Sequence, residues 1–186
     1  MATPLLCSAA TSRLLVIDIQ TRLAAAMPND DRARVIRNTG LLLQAATLLA
    51  VPTCLSEQYP KGLGPTEEAV TAQLPTTTQR IEKTCFAACG ADGFPRDAHC
   101  AAQYVLAGME AHVCVLQTAL ELHALGESVF VVADAVCARN PANTANALSR
   151  LRQAGVIITN TESIIFEWLR DARHEHFKTL SALLRD

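Results

Sequence analysis

Short, mostly apolar runs alternate along this chain with longer stretches whose apolar residues recur every three or four positions. The runs at residues 14–19 (LLVIDI), 51–55, 80–82, 104–107, 128–133 and 156–159 have the length of strands. Most are apolar at consecutive positions, which suits a parallel sheet covered by helices on both faces. Helical spacing covers residues 30–49, 95–103, 114–125, 142–153, 163–171 and 175–184. The first of these opens on Asp30 and Asp31, acids suited to the positive end of a helix. Gly126 and Gly155 stand just past two others, where a helix stops. Repeated strand–helix alternation predicts an α/β fold, a three-layer α/β/α arrangement around a doubly wound, mostly parallel sheet of about six strands. One domain is expected over residues 1–186, with residues 1–12 flexible.

The long irregular stretch is residues 56–66 (SEQYPKGLGPT), with two glycines and two prolines. A loop of that length in a compact domain reads as a functional loop or a lid. In doubly wound folds ligands sit beyond the carboxyl ends of the strands, so strand ends are where chemistry is sought.

Composition narrows the picture. Half of the 186 residues are hydrophobic and 18% are charged, which fits a globular core and excludes a disordered chain. A net charge of −2 with scattered Lys and Arg gives no basic stripe, so nucleic acid is not expected as a partner. No apolar run is long enough to span a bilayer, so no membrane partner is expected. Seven cysteines without CxxC pairs, among them Cys54 and Cys137 inside apolar runs, fit a reducing compartment better than a disulfide framework. A cytoplasmic location is expected. The N-terminal MATPLLCSAATSRLL lacks a basic segment ahead of its apolar part, which argues against secretion. Its Ser and Thr content, its lack of acids and Arg13 make mitochondrial targeting the alternative.

Three strand ends carry candidate chemistry. Asp18 closes an apolar run in VIDIQ, and a buried aspartate is rare unless paired. Capping a neighbouring loop accounts for it equally well. Lys83 ends RIEK, where a lysine enters the same cleft or simply opens a loop. Cys114 sits where YVLAGMEAHVCVLQTALEL passes through Gly108 into an amphipathic helix. A thiol at a helix N-terminus gains thiolate character, and free N–H groups there hold an oxyanion. Packing beneath the helix is the plainer reading. As a set, a thiol with a base and a cation meets the needs of covalent acyl transfer.

The chain resembles the isochorismatase-like hydrolase superfamily, from near Arg13 to the C-terminus. The resemblance rests on LLVIDIQ, SEQYPKGLGPT, EKTCFAAC, GMEAHVCVLQTALEL and VVADAVCARN, in that order. The tail from Asn146 to Lys178 is similar to the isochorismatase domain-containing proteins. The resemblance implies an Asp–Lys–Cys triad at Asp18, Lys83 and Cys114. It also implies a cis peptide at Met109–Glu110 and an oxyanion hole from the N–H groups of Glu110 and Cys114. Isochorismatases that cleave a vinyl ether typically carry glycine where this chain has Cys114, so the nucleophile points to amide, imide or ester hydrolysis through a thioester. Nicotinamidases hold a metal through Asp and two His in the region that here reads SEQYPKGLG. That region has Glu57 and no His, so no metal and no cofactor are expected.

Secondary candidates for substrate binding are Gln20, Tyr59 as a lid contact, Phe86 as a pocket wall and His112 beside the nucleophile. For each, a purely structural role is at least as good an account. Asp134 is read as a partner for loop N–H groups, and His174 with His176 as a solvated pair. Cys85 and Cys89 stand four residues apart, a poor zinc signal on their own. The expected partner is a small-molecule substrate. A homo-oligomer is also expected, because Ile164, Ile165, Trp168 and Leu169 promise an apolar patch. Ribonuclease activity, a label borne by some similar proteins, and a binding protein whose chemistry has lapsed are the alternatives.

Overall fold

A computed structural model describes residues 5–95 and 103–185. Its strands are β1 (Ser12–Ile17), β2 (Thr53–Gln58), β3 (Gln79–Lys83), β4 (Gln103–Met109), β5 (Ser128–Cys137) and β6 (Ile157–Thr159). They form one sheet in the order β3-β2-β1-β4-β5-β6, and every pairing is parallel. The helices are α1 (Thr21–Ala24), α2 (Asn29–Leu48), α3 (Pro60–Leu63), α4 (Glu68–Thr71), α5 (Leu116–Ala124), α6 (Pro141–Gln153), α7 (Thr161–Leu169) and α8 (Phe177–Leu183). The chain winds outward from β1 to β3, then returns to the other side of β1 to make β4. That reversal puts the topological switch point between β1 and β4.

The alternation within β1 explains the layers. Leu14 and Val16 pack with Leu42 and Leu43 of α2 and with Ile164, Ile165 and Trp168 of α7. Leu15 and Ile17 face the other way, onto Leu116, Ala119 and Leu122 of α5 and Leu151 of α6. Both faces of the strand are buried, and each such aliphatic side chain stabilises the fold by about 1.5–3 kcal/mol relative to exposure. Helix starts are fixed locally. The Asn140 side chain accepts from Ala142 N ahead of α6, whose first residue is Pro141, and Asn160 accepts from Ser163 N ahead of α7.

Several expectations shift. β2 runs through Gln58, so the first three residues of the expected loop 56–66 are strand, and 60–63 form the short α3. The helix expected over 95–103 lies almost wholly outside the described residues, and Gln103 opens β4. The helix expected from Cys114 starts instead as a π-helical turn, Ala111–Val115, that passes into α5. Residues 7–12, expected to be flexible, are tied down. Cys7 N donates to Glu167 (2.6 Å), Ser8 N to Gln103 Oε1 (2.7 Å), and Ser12 opens β1. Ile164, Ile165, Trp168 and Leu169 are buried within the chain, so they provide no exposed patch. Among the described residues, no helix is long and apolar enough to cross a membrane.

Candidate active site

The site is assembled at the carboxyl ends of β1, β2, β3 and β4. Asp18 follows β1 with φ 52°, a left-handed conformation that aspartate tolerates better than branched residues do. Gly108 of β4 pairs with Ile17 of β1 and has φ 130°. A Cβ at Gly108 would overlap the Ile17 carbonyl, so glycine is what lets β4 close up against β1. The turn after β4 thereby carries Cys114 to the end of β1. Lys83 ends β3, two strands away, because β2 lies between β3 and β1.

Lys83 spans that gap. Its Nζ donates to Asp18 Oδ2 (2.7 Å), Gln58 Oε1 (2.7 Å) and Phe86 O (3.1 Å), with a longer contact to Cys85 O (3.4 Å). The Asp18 and Lys83 side chains are completely buried. A buried ion pair is tolerable only when further hydrogen bonds satisfy it, and here Ser56 Oγ donates to the second oxygen, Asp18 Oδ1, at 2.7 Å. Burial lifts the Asp18 carboxyl above the ordinary carboxylate range, against the opposing pull of Lys83.

Cys114 faces the same pair, and its thiol interacts with both the Asp18 carboxylate and the Lys83 ammonium. Burial first, and the Asp18 carboxylate second, push the thiol up to about 12, while Lys83 pulls the other way. This corrects the expected helix-terminal thiolate. Cys114 lies inside the π-helical turn, ahead of α5, and is 5% exposed, so desolvation and a neighbouring anion outweigh the dipole. The Cys114 thiol therefore holds its proton at neutral pH, with the Asp18 carboxylate beside it.

The Met109–Glu110 peptide bond is cis. The Glu110 carboxylate turns toward Arg139, accepting from its backbone N (2.9 Å) and its Nε (3.2 Å). Gln20 is fully buried and spent on the neighbouring loop. Its Nε2 donates to Gln58 O (3.1 Å) and Gly64 O (2.7 Å), and its Oε1 accepts from Gln58 N (2.7 Å). It therefore braces the loop, the structural role that the sequence also allows. His112 Nε2 pairs with Asn143 of α6 at 3.2 Å, which holds the turn that carries Cys114 against that helix. Tyr59 and Phe86 are about half exposed; Tyr59 N donates to Lys83 O (2.8 Å), and the Phe86 carbonyl holds Lys83 Nζ. Glu57 is occupied by Thr66 N (2.7 Å) and Thr66 Oγ1 (2.6 Å), and Asp134 Oδ1 accepts from Thr161 N (2.8 Å). Among the described residues no three His, Cys, Asp or Glu side chains gather as a metal site.

Sequence reasoning did not single out Ser56 or Gln58, which hold Asp18 and Lys83 respectively. With β2 read as ending at Leu55, both fell in a loop. Extending the strand by its pairing with β1 and β3 would have placed them beside the other candidates.

Fold and site together define a parallel α/β protein with a thiol, a carboxylate and an ammonium buried at the sheet's switch point. The isochorismatase domain matches residues 12–163, and the chain belongs to the isochorismatase family, with its hydrolase fold. Isochorismatase domain-containing protein 2 of Bos taurus is 40% identical over 154 residues, 82% of this chain and 74% of that one. The MAR1 ribonuclease structure from Caenorhabditis elegans superposes with a TM-score of 0.90 at 33% identity, covering 97% of this chain and 92% of the other. The YcaC gene product of Escherichia coli, described as an octameric hydrolase of unknown specificity, gives a TM-score of 0.88 at 25% identity, covering 99% and 91%.

Proposed function

We propose that this chain is a cysteine hydrolase that cleaves the C–N bond of a small amide or imide through a thioester acyl-enzyme. The observation that carries this reading is the buried Asp18, bonded on one side to Lys83 and on the other within reach of the Cys114 thiol.

In this scheme the Cys114 sulfur attacks the substrate carbonyl as its proton passes to Asp18. The carbonyl π pair moves onto oxygen, and the N–H groups of Glu110 and Cys114 hold that oxyanion. When the tetrahedral adduct collapses, the C–N bond breaks and Asp18 returns the proton to the leaving nitrogen. Water then attacks the thioester, giving one proton to Asp18. The C–S bond breaks, the acid leaves, and the proton goes back to sulfur. Lys83 keeps Asp18 ionised between proton transfers despite its burial. The scheme uses no cofactor. We also propose a homo-oligomer, on the strength of the octameric YcaC relative.

The test is a screen of small amides and imides followed by mass spectrometry of the trapped enzyme. The acyl mass is expected on the peptide that contains Cys114. The name of the nematode relative makes RNA cleavage the competing outcome. RNA turnover that survives Cys114→Ala and falls steeply with salt would replace this reading.

A further inference from the structure

We propose that Ser56 is a positioning residue for this chemistry, fixing the rotation of the Asp18 carboxylate and restraining its proton affinity. The inference rests on the reading of Asp18 as the proton acceptor for Cys114. It begins with the sheet order. β2 lies between β1, which Asp18 follows, and the strand that ends in Lys83, so its last residues stand beside both. Ser56 pairs with Ile17 on one side and Ile81 on the other, and its carbonyl accepts from Asp18 N at 3.1 Å. The backbone of β2 thus grips Asp18 while the Ser56 hydroxyl grips the carboxylate.

The two carboxylate oxygens are divided between two donors. Lys83 Nζ takes Oδ2 and Ser56 Oγ takes Oδ1, each at 2.7 Å. With both held, the carboxylate plane cannot rotate, and its approach to Cys114 is set by the backbone and not by the substrate. Ser56 is buried and its hydroxyl is spent on Asp18 Oδ1, so its part is to hold the carboxylate. Its hydroxyl donates to the charged form of Asp18, which opposes the rise that burial imposes on that carboxyl. Too basic a carboxylate would arrive protonated and leave the thiol without an acceptor.

The experiment compares Ser56→Ala, Ser56→Cys and Ser56→Thr in the full-length protein, reading kcat, KM and the pH dependence of kcat/KM. In Ser56→Ala and Ser56→Cys the acid limb should move up by about one pH unit, since a hydrogen bond to a charged group is lost. At a pH below that limb, kcat/KM should fall about tenfold. KM should stay within twofold, because no substrate contact is removed. Ser56→Thr keeps a hydroxyl on a strand that suits β-branched residues, and should restore the wild-type limb. A purely structural Ser56 would lower thermal stability in the alanine variant while leaving the limb where it is, and that result overturns the proposal. Cys114→Ala and Asp18→Asn, measured alongside, separate the two claims. If either keeps wild-type turnover, the reading of the site fails. If both are inactive and Ser56→Ala titrates like wild type, only the role of Ser56 falls.

Discussion

Cys114 and Cys137 stand near neighbouring strand ends and have almost the same proton affinity, yet only one sits beside a proton acceptor. Cys137 closes β5, pairs with Met109 and is fully buried. Burial, with Asp31 and Glu110, pushes its thiol up to about 12. Cys114 reaches the same value with a different second cause, the carboxylate of Asp18. For Cys137 the high value is a consequence of packing. For Cys114 the proposed chemistry makes it part of a pair that shares one proton, whose removal needs no excursion to bulk water. A perturbed thiol therefore does not mark a nucleophile by itself; the base within reach does.

The widest separation between the two thiols is in turnover. Cys114→Ala should lower kcat by about 10⁴-fold or more, as loss of a covalent nucleophile does, with circular dichroism unchanged. Cys137→Ala should leave kcat within about twofold and destabilise the core by about 1–2 kcal/mol, seen as a drop in Tm of several degrees. A reversal of these outcomes would mean that the wrong thiol has been assigned.

Lys83→Met comes next, because it tests the charge that balances Asp18. Without the ammonium the buried carboxylate has no counter-ion, and its already raised proton affinity rises further. Turnover should drop about 10²–10³-fold, the range spanned by general acid–base and electrostatic contributions. The acid limb of whatever kcat/KM remains should lie at higher pH than in wild type. Cys137 does not face this pair, so its labelling should not change. A variant with unaltered kcat would show that the four acceptors around Lys83 Nζ serve only to fill space.

Much of this arrangement was readable in the residues. The expected runs placed all six strands to within four positions, most readily where β1, β2, β4 and β5 are largely buried and leave no polar alternation to confuse them. The short run at 80–82 proved to be β3, with exposed Gln79, Arg80 and Glu82 on an edge strand of the sheet. Asp18, Lys83 and Cys114 stood out as candidates near strand ends, but only the resemblance to the isochorismatase-like hydrolases joined them as a triad; the structure brings Lys83 onto Asp18 with Cys114 beside them. What the sequence hid depends on contacts across the sheet. Nothing local to SEQYPKGLG says that Ser56 and Gln58 turn toward Asp18 and Lys83, or that Gln20 is consumed by the loop it braces. The direction of the Cys114 shift was hidden for the same reason. A helix start is visible in the chain, whereas burial beside an anion from another strand is not.

The smallest effect sharpens the comparison most, because it changes one thiol and spares the other. Asp18→Asn removes the carboxylate that raises Cys114 but keeps its size, and leaves Lys83 opposite the sulfur. Burial remains, so the thiol stays above its ordinary value. With the anion gone and the cation unopposed, its pKa should nevertheless fall from about 12. At pKa near 12 only about one molecule in 10⁵ carries thiolate at pH 7, so a fall of one unit should speed alkylation about tenfold. Iodoacetamide labelling, followed on individual peptides so that exposed Cys85 does not mask the result, should show Cys114 accelerating in the variant. Cys137, which owes its value to burial, Asp31 and Glu110, should react as slowly as before. Turnover of the same variant should collapse, since the more reactive sulfur has lost the group that returns a proton to the leaving nitrogen. A nucleophile made more reactive and an enzyme made inactive by one substitution is the signature of a shared proton. If Cys114 labelling is unchanged in Asp18→Asn, the carboxylate does not govern the thiol, and the contrast with Cys137 has no chemical content.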